Sequence, residues 1–299
     1  MKVASQSSTS QTSVAIAPAP SLDAFLPSEM AGKAEAIGVK KAIMGPRNTF
    51  ALAVLAGAFI ALGAIFSTTV TTGAAGHMSY SMTRLAGGLV FCLGLILVAV
   101  AGAELFTGNK LIVMVWADGR VSTGKLLCNW GIVYVGNFAG VIVTALLVFF
   151  ARQHIFSGGA VGLNMLAIAE DKTGLAFGQA IALGMLCNAL VGLAVWLCFS
   201  ARTTTDKILS ILFPITAFVA AGYEHSIANM FFIPMGLFVK AWAGPDFWAS
   251  ISKLPTDFPN LTWGNFFIVN LLPVTIGNII GGSLMVGLAY WFIYIRKGM

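Results

Sequence analysis

The sequence predicts an all-α membrane protein: six transmembrane helices in an inverted 3+3 repeat, with the second and fifth helices broken. Three observations carry this. Hydrophobic residues fill 58% of the 299 positions and charged residues only 9%, against about 25% charged in a soluble domain. Two apolar regions run well beyond the ~20 residues of a straight span, and each is interrupted by polar residues. Those interruptions match each other: Ala101-Gly102-Ala103-Glu104 through Asn109 and Ala221-Gly222-Tyr223-Glu224 through Asn229 share the pattern A-G-x-E-x(4)-N.

The elements follow in chain order. Residues 1–21, rich in Ser, Thr, Ala and Pro, lack the apolar segment of a secretory signal and are expected to be a disordered tail. In residues 22–48, Leu22, Phe25, Leu26, Met30, Ala34 and Ile37 recur at helical spacing, with Lys33, Lys40 and Lys41 among them. That pattern suits either an amphipathic helix along the membrane face or a linker helix packed on the bundle. The transmembrane domain is expected over 49–299. Its apolar regions lie at roughly 49–67, 85–117, 126–150, 176–200, 208–241 and 263–295. The second carries "AGAELFTGNK" and the fifth "AGYEHSIAN".

Six crossings put both termini on one side. The lysines and arginines concentrate there, from Lys2, Lys33, Lys40, Lys41 and Arg47 to Arg296 and Lys297, so both termini are expected in the cytoplasm. The net charge of +6 is accounted for in the same way. No basic face or RNA-binding motif points to nucleic acid.

A second internal match supports the repeat. "NWGIVYVGNFAG" (Asn129–Gly140) parallels "NLLPVTIGNIIG" (Asn270–Gly281) as N-x(6)-G-N-x(2)-G. Three crossings per half is an odd number, so the second half enters the membrane upside down. Irregular backbone at membrane depth survives only when buried in protein or lining a polar cavity. The helix ends exposed by two facing breaks present free N–H groups and partial positive charge, which favours a small anion.

Cys92, Cys128, Cys187 and Cys198 have no metal or redox spacing and are read as small core residues. Among the 33 glycines, Gly57, Gly136, Gly140, Gly184, Gly277 and Gly281 fit close packing of membrane helices. No G-x(4)-G-K-[ST] phosphate loop occurs.

"AGAELFTGN", "GNFAG", "AGYEHSIANMFFIPMG" and "NLLPVTIGNIIGG" resemble the formate–nitrite transporter family over about residues 22–296. The resemblance implies an aquaporin-like fold, a homopentamer with one pore per protomer, and no cofactor. It implies a multi-pass protein of the bacterial inner membrane that passes formate, with nitrite or hydrosulfide as alternative anions. Carried onto this sequence, the pore histidine is His225, with Glu224 beside it and Thr107 as partner on an Ω-shaped loop. Asn188 and Asn278 flank the histidine. Phe91, Leu95, Phe106, Val191 and Phe218 form the apolar constrictions, and Lys172 lies in a vestibule. Glu104 stands where some relatives carry aspartate.

The residues themselves leave their chemistry open. A lone histidine is often only a satisfied core residue; His225 instead falls in a helix break inside a membrane. It could give formate a proton, so that a neutral acid crosses, or stay neutral and donate a hydrogen bond to an anion. Glu224 and Glu104, at equivalent repeat positions, look like loop supports that accept backbone N–H groups. Apolar constrictions disfavour hydrated ions, and a vestibule lysine attracts anions within about a Debye length. No paired Asn-Pro-Ala motif marks a water or glycerol channel, and no nucleophile motif marks an intramembrane protease, so an enzyme is not expected.

Overall fold

The computed structural model describes residues 23–74 and 76–296; the expected tail at 1–21 lies outside them. The chain is an all-helical membrane protein with several helices long and apolar enough to cross a bilayer. After a short amphipathic helix, α1 (Pro27–Ile43), come the long helices α2 (Pro46–Thr71) and α3 (Tyr80–Ala101). A 3₁₀ turn at Gly108–Ile112 and the one-turn helix α4 (Val113–Ala117) follow, then α5 (Thr123–Phe150). The next elements are α6 (Ala160–Thr173), α7 (Phe177–Ser200), α8 (Thr204–Ala220), α9 (Ser226–Trp242) and α10 (Pro245–Ile251). The last span, Trp263–Ile295, is α-helical at Leu272–Ile279 and π-helical on either side.

Both over-long apolar regions leave helical geometry at their polar centres. After α3, Gly102 adopts φ +82° and donates to Val98 O at 3.2 Å; after α8, Gly222 adopts φ +76° and donates to Val219 O at 3.1 Å. These left-handed positions suit glycine and stop each helix. The fifth apolar region is therefore two helices of 17 residues each.

Packing is tightest where α2 meets α5 and where α7 meets the last span. A Cβ on Gly57 would overlap Asn137 O, and one on Gly140 would overlap Val54 O. In the other pair, a Cβ on Gly277 would meet Ile181 O and one on Gly281 would meet Met185 O. Backbone touches backbone at all four positions, as small residues permit between membrane helices. Of the cysteines, Cys92 and Cys187 are buried and Cys198 is half-buried, but Cys128 is exposed on α5. The core assignment fails for Cys128 because the outward face of a span is as apolar as its core, so hydrophobicity does not distinguish the two.

α1 lies against the bundle. It contacts α4, α5, α7 and the 3₁₀ turn after α3. Phe25 N donates to Ser200 O at 3.1 Å, and Lys33 Nζ donates to Phe199 O and Ala201 O at the end of α7. Burial, together with Lys207 and Arg202, holds Lys33 below the ordinary lysine range.

Between α5 and α6, buried His154 stacks on Phe149 at 4.9 Å and meets Phe247 edge-on at 5.5 Å. Burial, with Arg152 adding to it, pushes His154 below its usual 6.5. The folded chain therefore prefers neutral His154. Its contribution to stability is whole above pH ~6.5 and falls as pH drops below that value. His154→Phe keeps the stacking, so its melting temperature in detergent should drop less between neutral and acidic buffer than the wild type's. Gly140→Val should lower stability by about 1–3 kcal/mol or prevent assembly. Gly178→Ala, with open space around it, should melt like the wild type.

Candidate functional site in the helix breaks

At each break a glutamate is buried, Glu104 at 4% and Glu224 at 5% exposure. A bare carboxylate there would be very costly. Each is met by a lysine from a helix outside the long spans and by an asparagine. Glu104 Oε1 pairs with Lys41 Nζ of α1 at 2.9 Å, and Glu224 Oε1 with Lys172 Nζ of α6 at 2.7 Å. Asn109 Nδ2 donates to Glu104 Oε2 and Asn229 Nδ2 to Glu224 Oε2, both at 2.6 Å. Asn129 then accepts from Asn109 at 3.0 Å and donates to Lys41 O at 3.1 Å. Asn270 accepts from Asn229 at 2.8 Å and donates to Lys172 O at 2.9 Å.

A second pair of buried asparagines fixes the loops. Asn137 Oδ1 accepts from Phe106 N at 2.9 Å, and its Nδ2 donates to Glu104 O at 2.9 Å and Ala53 O at 2.7 Å. Asn278 Oδ1 accepts from Ser226 N, and its Nδ2 donates to Glu224 O and Gly184 O, all at 2.9 Å. The backbone repeats the match, with Glu104 N on Leu52 O at 3.2 Å and Glu224 N on Leu183 O at 3.3 Å.

Two expectations are corrected by this geometry. The glutamates accept from lysine and asparagine side chains, not from backbone N–H groups. Nor does the α9 N-terminus leave all its donors free: Asn278 takes Ser226 N–H, and His225 Nδ1 takes Ala228 N–H at 3.0 Å. Side chains caught these donors because a buried, unsatisfied N–H costs more than the bond that closes it.

The two loops meet where Thr107 Oγ1 lies 2.9 Å from His225 Nε2. Both residues are buried, His225 at 3% exposure. Because Nδ1 accepts from Ala228 N–H, the ring proton of neutral His225 sits on Nε2 and points to Thr107. Phe218 stacks along the imidazole at 5.8 Å and meets Phe91 edge-on at 5.6 Å.

Two cavities approach this point from opposite sides. One, of about 460 Å³, is lined by Lys41, Leu95, Glu104 and Asn109. The other, of about 880 Å³, is lined by Lys172, Phe91, Phe218, Glu224 and His225. Phe91 and Leu95 stand one turn apart on α3, so the layer between the cavities is about 6 Å thick on that helix. Phe106 and Val191 are buried as well. Lys172 reaches its cavity but its ammonium is bound to Glu224. Asn188 Nδ2 makes a short hydrogen bond to Asn278 O, behind the residue that holds the His225 loop.

Sequence reading missed Lys41, Asn129, Asn137 and Asn270 as site residues. The asparagines could have been found, since N-x(6)-G-N-x(2)-G contains both members of each set. Lys41 lies outside both repeated motifs, on a helix whose partner could not be read.

Comparison with known proteins gives a consistent picture. Residues 28–292 match the family model described as formate/nitrite transporter. The chain is 47% identical over 275 residues to the formate channel FocA of Escherichia coli strain K12, covering 92% of this chain and 96% of that protein. It is 41% identical over 264 residues to the formate channel FocA of Haemophilus influenzae, covering 88% and 93%. Among solved structures, one described as a pentameric formate channel with formate bound superposes with a TM-score of 0.80 at 45% identity, covering 84% of this chain and 98% of that one.

Lys41→Met strands Glu104 without its cation. With Lys41 partly solvent-facing, the expected cost is about 1–3 kcal/mol, below that of a fully buried pair. Combining it with Glu104→Gln should cost less than the sum of the single changes, measured by thermal unfolding in detergent. Additive costs would show that the two side chains do not act as a pair.

Proposed function

The chain belongs to the formate/nitrite transporter family, and we propose that it is a formate channel of the bacterial inner membrane, a homopentamer with one pore in each protomer. Residues 49–299 form the channel domain, with both termini in the cytoplasm. The observation that carries this reading is the Thr107–His225 contact at 2.9 Å, with Phe218 stacked on the imidazole and Phe91 against Phe218. The duplicated bonding at Glu104 and Glu224 supports an inverted repeat of two halves joined back to back, with broken second and fifth spans.

The geometry suggests how a carboxylate could cross. From the Lys172 side, an anion meets Phe91 and Phe218 and must shed water there. His225 Nε2–H and the Thr107 hydroxyl can both donate to it, replacing part of the lost hydration. His225 Nδ1 is engaged by Ala228 N–H. An imidazolium would put two N–H groups face to face and break that cap, so neutral His225 is the form the loop favours. Direct proton donation from His225 would first need Nδ1 to be protonated. The site therefore fits hydrogen-bond donation by a neutral imidazole, with Leu95, Phe106 and Val191 as the second apolar ring.

Reconstituted into liposomes, the protein should pass formate faster than water-sized leaks in empty vesicles, with nitrite and hydrosulfide run beside it. His225→Asn retains an N–H donor and should keep formate flux within about tenfold. His225→Phe, without a donor, should lose more than that, in line with about 1.5–3 kcal/mol for a hydrogen bond to a charged group. If His225→Asn keeps the flux but loses the accompanying proton movement, the imidazole carries protons and the hydrogen-bond reading is wrong.

A further inference from the structure

The cavity on the Lys172 side holds a second cation, Arg84, from the first turn of α3. Four formal charges line this cavity, Arg84, Lys172, Asp171 and Glu224, together with His225. Lys172 and Glu224 are joined at 2.7 Å and cancel. Asp171 is exposed, whereas Arg84 is partly buried, so water screens the carboxylate more than the guanidinium. Arg84 belongs to none of the ion pairs Lys41–Glu104, Arg120–Glu35 and Lys172–Glu224.

Arg84 is held instead by carbonyl dipoles. Its Nε donates to Ala220 O at 3.1 Å, and its Nη2 makes a short hydrogen bond to Val219 O. These carbonyls end α8, where the backbone is partially negative and a cation is favoured. A Cβ on Gly222 would come within 3.2 Å of Nη2, so the guanidinium lies on the turn that leads to Glu224 and His225.

We infer that Arg84, not Lys172, supplies the less screened positive charge that draws anions into this cavity, while its fork holds the end of α8 in place. The inference rests on the anion-channel reading above. It makes Arg84 a positioning and recruiting residue that leaves the chemistry at His225 to others. A partly buried cation in a concave wall, screened less than the exposed carboxylate, raises local anion concentration, and salt should weaken the effect.

The test measures initial formate and nitrite influx into proteoliposomes between about 20 mM and about 300 mM salt, over which the Debye length falls from about 20 Å to about 6 Å. Arg84→Gln should lower influx threefold or more at low salt and flatten its salt dependence. Arg84→Lys keeps the charge but not the fork, and should retain most of the influx and the salt slope. Lys172→Met, which leaves Glu224 uncompensated, serves as the contrast and should cut influx through lost loop support with the salt slope reversed or absent. If Arg84→Lys is as impaired as Arg84→Gln, or if Arg84→Gln keeps the wild-type salt slope, Arg84 is only a helix cap and the inference falls. A wild-type protein that passes nitrite but not formate would overturn the choice of formate alone, and the Arg84 comparison would still be read on nitrite.

Discussion

Two carboxylates buried inside the helix bundle are the constraint around which this structure is arranged. Glu104 and Glu224 would each be prohibitive alone. Each is answered by a lysine about 2.7–2.9 Å away and by an asparagine at 2.6 Å. The lysines come from helices outside the long spans, so α1 and α6 are bound into the protein by the same need that fixes the loops. The glutamates are counter-charges that let irregular backbone persist where lipid would not tolerate it.

From that anchorage the rest follows in sequence. With Glu104 and Glu224 fixed, Asn137 and Asn278 reach the first loop N–H and the glutamate carbonyl on each side. The loops then hold Thr107 against His225. Asn137 and Asn278 also reach across to Ala53 and Gly184, which requires close approach of the helices; Gly57, Gly140, Gly277 and Gly281 provide it by removing every Cβ that would intervene. The loop bonds and the glycine contacts are two views of one packing solution, and a larger residue at the glycines would strain both.

Much of this was legible in the sequence. Polar residues inside apolar runs announced the breaks, because a span does not carry Glu, Asn and His without reason. Their repetition announced that the two breaks are built alike. In the structure the glycine of A-G-x-E falls at each helix stop, where Gly102 and Gly222 are left-handed. The partners of the glutamates were less legible, since Lys41 and Lys172 lie 63 and 52 positions away along the chain and neither sits in a repeated motif. Arg84 was invisible for a related reason: its partners are backbone carbonyls, which leave no trace in side-chain identity.

The sequence by itself determined the membrane location, the positions of both breaks and the identity of His225 as a polar group set between apolar flanks. These depend on local composition and spacing, which the chain carries in order. The tertiary structure decided what each polar group faces. It placed Ala228 N–H on Nδ1 of His225 and so put the imidazole proton on Nε2. It placed Lys172 on Glu224 and Arg84 on the carbonyls that end α8. These are matters of distance between segments remote in the chain, and electrostatics in a low-dielectric interior is set by those distances.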